Sequence, residues 1–295
     1  MAHRFSPRLG VPSLVVLIGS AIWSACRRPA AVAPSGGEPA RVALDAGSEM
    51  AVTKPANPTT PQVAWLHTSP PVAGSDWCIA DVSSLDEDAC YVLPDQPTHS
   101  LLIYLHGIVP PTKDSEQKTN VETVVAKSSR RANIAALLPR GEQGLGPRGR
   151  HDWWGWPTNQ ASYQAHAAAM VATIIAKRKK LESWVGLSFS RIYLAGSSSG
   201  AYFIARLALR GDLEADGYGA MSGGSVPDGI DFARLTPKPF YVGYGLYDPA
   251  RRPAQALVAA LRDAGWPVRE AAHPVGHGAK EIYLDEAFAF FGEAP

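Results

Sequence analysis

The sequence is short of cysteine, with three in 295 residues, and nearly free of net charge, since 28 Lys and Arg face 27 Asp and Glu. That balance excludes the strongly basic surface that a nucleic-acid partner requires. The one basic run, KRKK at 177–180, follows an Ala-rich helical stretch and reads as its solvated end. A structural metal is excluded on ligand supply: Cys78 and Cys90, with no pair of histidines nearby, fall short of a tetrahedral set. No cofactor is expected, and no internal repeat is visible.

The N-terminus supplies what the rest of the chain lacks. "MAHRFSPRLG" carries Arg4 and Arg8 and runs into "VPSLVVLIGSAIWSA", a basic region followed by an apolar one too short for a comfortable membrane span. Residues 1–25 therefore read as a secretion signal. A buried N-terminal helix is the poorer reading, because Pro/Ala-rich sequence follows and offers nothing to pack against. "WSAC" at 23–26 resembles a bacterial lipoprotein site, in which Cys26 would be the lipidated first residue of the mature chain. Trp23 stands where such sites usually have Leu. The expectation is an exported protein, anchored to a membrane only through this lipid and otherwise secreted.

Residues 26–75, rich in Pro, Ala, Gly, Ser and Thr, read as a flexible tether, and 76–295 as the folded domain. The stretch "WCIADVSSLDEDACYVL" looks like two strands joined by an acidic turn. That arrangement would bring Cys78 to Cys90, and export would allow them to form a disulfide.

From residue 100 strand and helix alternate. Strands are expected at 101–105 (LLIYL), 133–139 (NIAALLP), 191–195 (RIYLA), in GYGAMSGG and FYVGYG, and in VREAAH; helices at 120–132, 161–181, 201–210, 253–265 and along EIYLDEAFAFF. In the second helix, Tyr163, Ala167, Met170, Ile174, Ile175 and Leu181 fall on roughly one face. The alternation implies an α/β domain: a mostly parallel sheet with helices on both faces and little or no cap.

Between the RIYLA strand and its helix lies "GSSSG". Strand, Gly-x-Ser-x-Gly, helix is the order of a nucleophile elbow, whose sharp turn needs small flanking residues and lifts the central hydroxyl above the sheet edge. The centre is Ser198. In such a sheet, functional groups gather at the carboxyl ends of strands. Asp248 follows FYVGYG, and His277 lies in the loop after VREAAH; Asp263 and His273 are the alternatives for acid and base. An imidazole can take the serine proton, and a carboxylate behind it fixes the tautomer.

This Ser, Asp, His order resembles the α/β-hydrolase superfamily over roughly residues 76–295, with a weaker likeness to secreted carboxylesterases and to polyhydroxyalkanoate-depolymerase-like or feruloyl-esterase-like enzymes. The resemblance implies a serine hydrolase acting on a small-molecule or polymeric ester. Peptidase or thioesterase chemistry uses the same groups, and a silent ligand-binding lipoprotein of the same fold is the alternative outside enzymology. It also implies oxyanion donors: the backbone N–H of Ser199, and that of Ile108 in "YLHGIVPP", with Gly107 as the alternative and His106 as an orienter. Trp153, Trp154 and Trp156 in "GRHDWWGWPTN" are candidates for lining the substrate pocket, or else they pack the loop onto the domain.

Overall fold

The computed structural model describes residues 64–66, 71, 75–112, 114–147 and 149–293. The leader over 1–25, Cys26 and most of the tether segment lie outside the described residues. Within that segment, Trp65 donates its indole N–H to Pro94 O at 3.1 Å and Leu66 N–H meets Val185 O at 2.9 Å.

Strand β3 (Ser100–Leu105) shows how the core divides. Successive side chains of a strand point to opposite faces, so Leu101, Ile103 and Leu105 enter one apolar cluster while Leu102 and Tyr104 enter the other. Around it stand β1 (Ser83–Asp86), β2 (Ala89–Val92), β4 (Ala135–Pro139), β5 (Arg191–Ser197), β6 (Gly217–Met221), β7 (Phe240–Gly245) and β8 (Val268–His273). The order is β1-β2-β4-β3-β5-β6-β7-β8. The pairs β1–β2 and β2–β4 are antiparallel, and from β4 to β8 every pair is parallel. All carboxyl ends of the parallel strands therefore reach one edge.

Helices α2 (Gln160–Val185), α3 (Ser199–Arg210) and α4 (Arg251–Asp263) bury their apolar residues in the first cluster; α1 (Glu116–Arg131) and α5 (Glu281–Phe291) fill the second. Between β6 and β7, where a cap might have been inserted, the only helical element is the short turn Phe232–Arg234. Phe203 of α3, fully buried, stacks on Trp156 and meets the edge of Tyr163, each at 5.7 Å between centroids. This fixes α3 against α2 and the loop before it.

Three sequence expectations are corrected. Ile175 is 37% exposed, because the buried stripe of α2 runs Tyr163, Ala167, Met170, Ile174, Leu181, Val185 and leaves Ile175 beside it. Helix α1 begins four residues before the expected start, capped by the Ser115 side chain, which accepts from Lys118 N–H at 3.3 Å. The KRKK run is not merely solvated: Lys177 and Lys180 each reach Asp86 Oδ2 at 2.8 Å, and Lys177 also holds Asp88. The basic end of α2 is thus clasped by the acidic turn of the β1–β2 hairpin.

Cys78 and Cys90 are joined by a disulfide across a sequence separation of 12. Closing a loop of this size is expected to contribute about 3 kcal/mol, chiefly by restricting the unfolded chain. Urea denaturation of oxidised and reduced protein checks this. Coincident midpoints would show that the bond contributes nothing.

Candidate active site

The elbow begins with a problem of space. A Cβ on Gly200 would lie 2.2 Å from Leu105 O and 2.7 Å from His106 O, and one on Gly196 would lie 2.7 Å from Leu105 O. Both glycines are therefore required for β3 and α3 to approach as closely as they do. Between them the chain reverses through Ser198, at φ 53 and ψ −118. A non-glycine residue there costs of order 1–3 kcal/mol. The turn is held by Ser198 N–H to Met221 O at 3.0 Å and Tyr202 N–H to Ser198 O at 3.1 Å.

The parallel edge brings the three candidate groups together. Ser198 Oγ lies 2.9 Å from His277 Nε2, and His277 Nδ1 lies 2.9 Å from Asp248 Oδ1. Asp248, at the exit of β7, has a fully buried side chain, and its Oδ1 also accepts the Ala250 N–H at 2.8 Å. With Asp248 Oδ1 accepting from Nδ1–H, Nε2 is the acceptor that faces the Ser198 hydroxyl. The alternatives lie apart. His273 is 3.2 Å from Glu286 Oε1 with its ring against Tyr283, and Asp263 is exposed at the end of α4.

One residue of this machinery escaped sequence reading. Ser222, fully buried just past β6 at φ 51, exchanges two hydrogen bonds with Gly278: its Oγ donates to Gly278 O and accepts from Gly278 N–H, each at 3.1 Å. It thereby fixes the backbone next to His277. Its only sequence signal is its place at a strand exit, in a stretch (MSGG) read as strand.

The turn after β3 has its own logic. His106 is buried between the rings of Trp77 and Trp156, at 5.3 and 5.4 Å. Its Nε2 accepts from Gly141 N–H at 3.0 Å, so Nδ1 carries the proton and donates to Gly107 O at 2.5 Å. That carbonyl and the Ile108 N–H belong to one trans peptide and point in opposite directions. Holding the first toward His106 turns the second away from it. The next amide, Val109 N–H, is taken by Trp154 O at 3.0 Å. Ser199 is the first residue of α3, so its N–H has no acceptor within the helix.

Burial holds the His106 imidazole down to about 4, outweighing the hydrogen bond to Gly107 O that would raise it. A base whose folded value is depressed contributes stability that is present above the unfolded value and lost as pH falls toward the folded one. Between about pH 6.5 and 4 this site alone is expected to cost about 3 kcal/mol. An NMR titration of the His106 ring should show its midpoint near the lower limit. A midpoint near 6.5 would contradict the burial argument.

A cleft of about 490 Å³ joins Ser198 and His277 to Gly107, Ile108 and Trp153. Of the three tryptophans only Trp153 lines it, and the expectation for the other two is corrected. Trp156 is 1% exposed in the core, and Trp154 bridges to Val109 with the Arg140 guanidinium 4.1 Å from its ring. Three tryptophans within four positions, with no helical or strand period around them, carry no sign of which ring faces in. Gln117 and Asn120 also line the cleft; Gln117 sits in the first turn of α1, which the sequence leaves outside the helix, and Asn120, inside the expected helix, carries no sequence sign that it faces the cleft.

No protein-family model and no curated protein matches the chain. Solved structures do. A carboxylesterase from Mesorhizobium loti is 18% identical with a TM-score of 0.51, over 72% of this chain and 95% of that one. A Bacillus cereus carboxylesterase is 16% identical with a TM-score of 0.52, over 70% and 94%. At these identities the likeness is one of fold.

Proposed function

From the premise that this chain has the α/β-hydrolase fold, we propose that it is a serine hydrolase cleaving carboxylic esters through an acyl-enzyme on Ser198. The observation that carries this is the His277 ring, which spans Ser198 Oγ and Asp248 Oδ1 at 2.9 Å on each side. In the first half-reaction, Ser198 Oγ attacks the ester carbonyl carbon while its proton passes to His277 Nε2. Asp248 stabilises the imidazolium. The N–H groups of Ser199 and Ile108 receive the negative oxygen of the tetrahedral intermediate. Collapse breaks the bond to the alcohol, which leaves with the proton from His277; water then repeats the sequence and releases the acid.

The cleft volume lies within the range for small-molecule sites. Ile108, Val109, Val121 and Trp153 give one part an apolar lining, while Gln117, Asn120 and Arg150 offer polar groups. This suits an ester of mixed polarity. The reaction belongs outside the cytoplasm: the basic and apolar leader, and a disulfide that reducing compartments disfavour, support export, with Cys26 as the lipid-bearing residue.

A panel of p-nitrophenyl esters from acetate to octanoate, with the thioester and anilide of one acyl group, tests the reading. The esters are expected to turn over fastest. Faster cleavage of the anilide or thioester would reassign the enzyme to peptidases or thioesterases, and a folded protein that cleaves none of them would favour the ligand-binding alternative.

A further inference from the structure

The backbone that carries His277 has little of its own to hold it. Between β8 and α5, Gly276, His277, Gly278 and Ala279 make no backbone–backbone hydrogen bond among the described residues. Two of the four are glycines, and Gly278 stands at φ 108, which a residue with a Cβ rarely adopts. Misplacing a reacting group by about 1 Å can cost about 10²-fold in rate, so the placement of the ring has to come from outside the loop. Side chains supply it. Asn120 Nδ2 of α1 donates to Ala279 O at 3.3 Å, and Lys280 Nζ to His277 O at 3.3 Å. Ser222 takes both backbone groups of one residue, Gly278 N–H and Gly278 O, each at 3.1 Å.

The other side of the same segment holds the nucleophile. Met221 O accepts the Ser198 N–H at 3.0 Å, and a Cβ on Gly223 would lie 2.8 Å from Ser198 O, so glycine there lets the segment press against the elbow. Ser222 N–H is itself tied to Gly243 O of β7 at 2.8 Å. The residue is fully buried at φ 51, a conformation that favours glycine. A glycine at 222 would relieve that strain but could not bond Gly278.

We infer that Ser222 is a positioning residue: Met221 and Ser222 bridge the elbow to the base loop, and the Ser222 hydroxyl sets the distance between Ser198 Oγ and His277 Nε2, a role that rests on the hydrolase reading proposed above. Ser222 does not line the cleft. It acts through Gly278 on the ring that precedes it.

Ser222→Ala and Ser222→Gly, each made in wild type and in His277→Ala, test this by steady-state kinetics on a p-nitrophenyl ester and by the rate of fluorophosphonate labelling. Both remove the hydroxyl. The glycine also relieves the backbone strain and is expected to leave the domain folded, which circular dichroism checks. With His277 present, each substitution should lower kcat and kcat/KM about equally, by about 10²-fold, and slow labelling by a similar factor. In His277→Ala the same substitutions should cost about twofold at most, because the ring they position is gone. Full turnover in Ser222→Gly, or losses of equal size with and without His277, would overturn the inference and leave the hydrolase reading in place. A folded wild-type protein that neither cleaves the ester nor labels would overturn the hydrolase reading and the inference with it.

Discussion

Ser198→Ala is expected to lower kcat on a cleaved ester by roughly 10⁴ to 10⁶-fold while leaving the domain folded. The size follows from the loss of the attacking atom: the oxyanion donors and the cleft remain, but no covalent intermediate can form. Folding should survive because alanine keeps the Cβ, and the backbone bonds that hold the turn, from Ser198 N–H to Met221 O and from Tyr202 N–H to Ser198 O, involve no side chain. The strain at φ 53 is unchanged. Ser197→Ala, at the neighbouring buried hydroxyl, is the control and should cost far less. Steady-state kinetics on both variants decide the point. Comparable turnover by wild type and Ser198→Ala would place the chemistry elsewhere.

The second large effect belongs to the base and its carboxylate. His277→Ala and Asp248→Ala should each cripple hydrolysis, and the double variant should be little worse than His277→Ala alone. Asp248 acts only through the ring it orients, so once the ring is gone its removal has nothing further to take away. His273→Ala should leave activity in place, since that ring lies against Tyr283 and Glu286. Losses that add on a logarithmic scale would contradict the coupling. Abolition by His273→Ala with survival of His277→Ala would give the role of base to the other histidine.

How much of this was legible in the sequence depended on what each residue's signal measures. The parallel strands were readable because their apolar runs are buried on both faces, as β3 shows by sending Leu102 and Tyr104 to one side and its other leucines to the opposite one. The grouping of Ser198, Asp248 and His277 was inferable because topology puts strand exits at one edge, so position in the chain stands in for position in space. Signals that depend on partners distant in sequence were lost. The KRKK run reads as solvated until the hairpin turn with Asp86 and Asp88 is seen to fold against it. Trp154 and Trp156 look like Trp153 in sequence, and only their neighbours, Arg140 and Phe203, separate them. Ser222 was hidden because one hydroxyl at a strand exit has no periodicity, and its partner Gly278 lies 56 residues away.

On this reading His277 activates Ser198. That activation is tested most directly by treating wild type and His277→Ala with a fluorophosphonate and locating the adduct by mass spectrometry of the digested protein. The expected result is one stoichiometric adduct on Ser198 in wild type, and labelling slowed by several orders of magnitude in His277→Ala, because the unassisted hydroxyl is a poor nucleophile. An adduct on another residue, equal labelling rates in the two proteins, or no adduct on a wild-type protein shown to be folded by circular dichroism would contradict the claim.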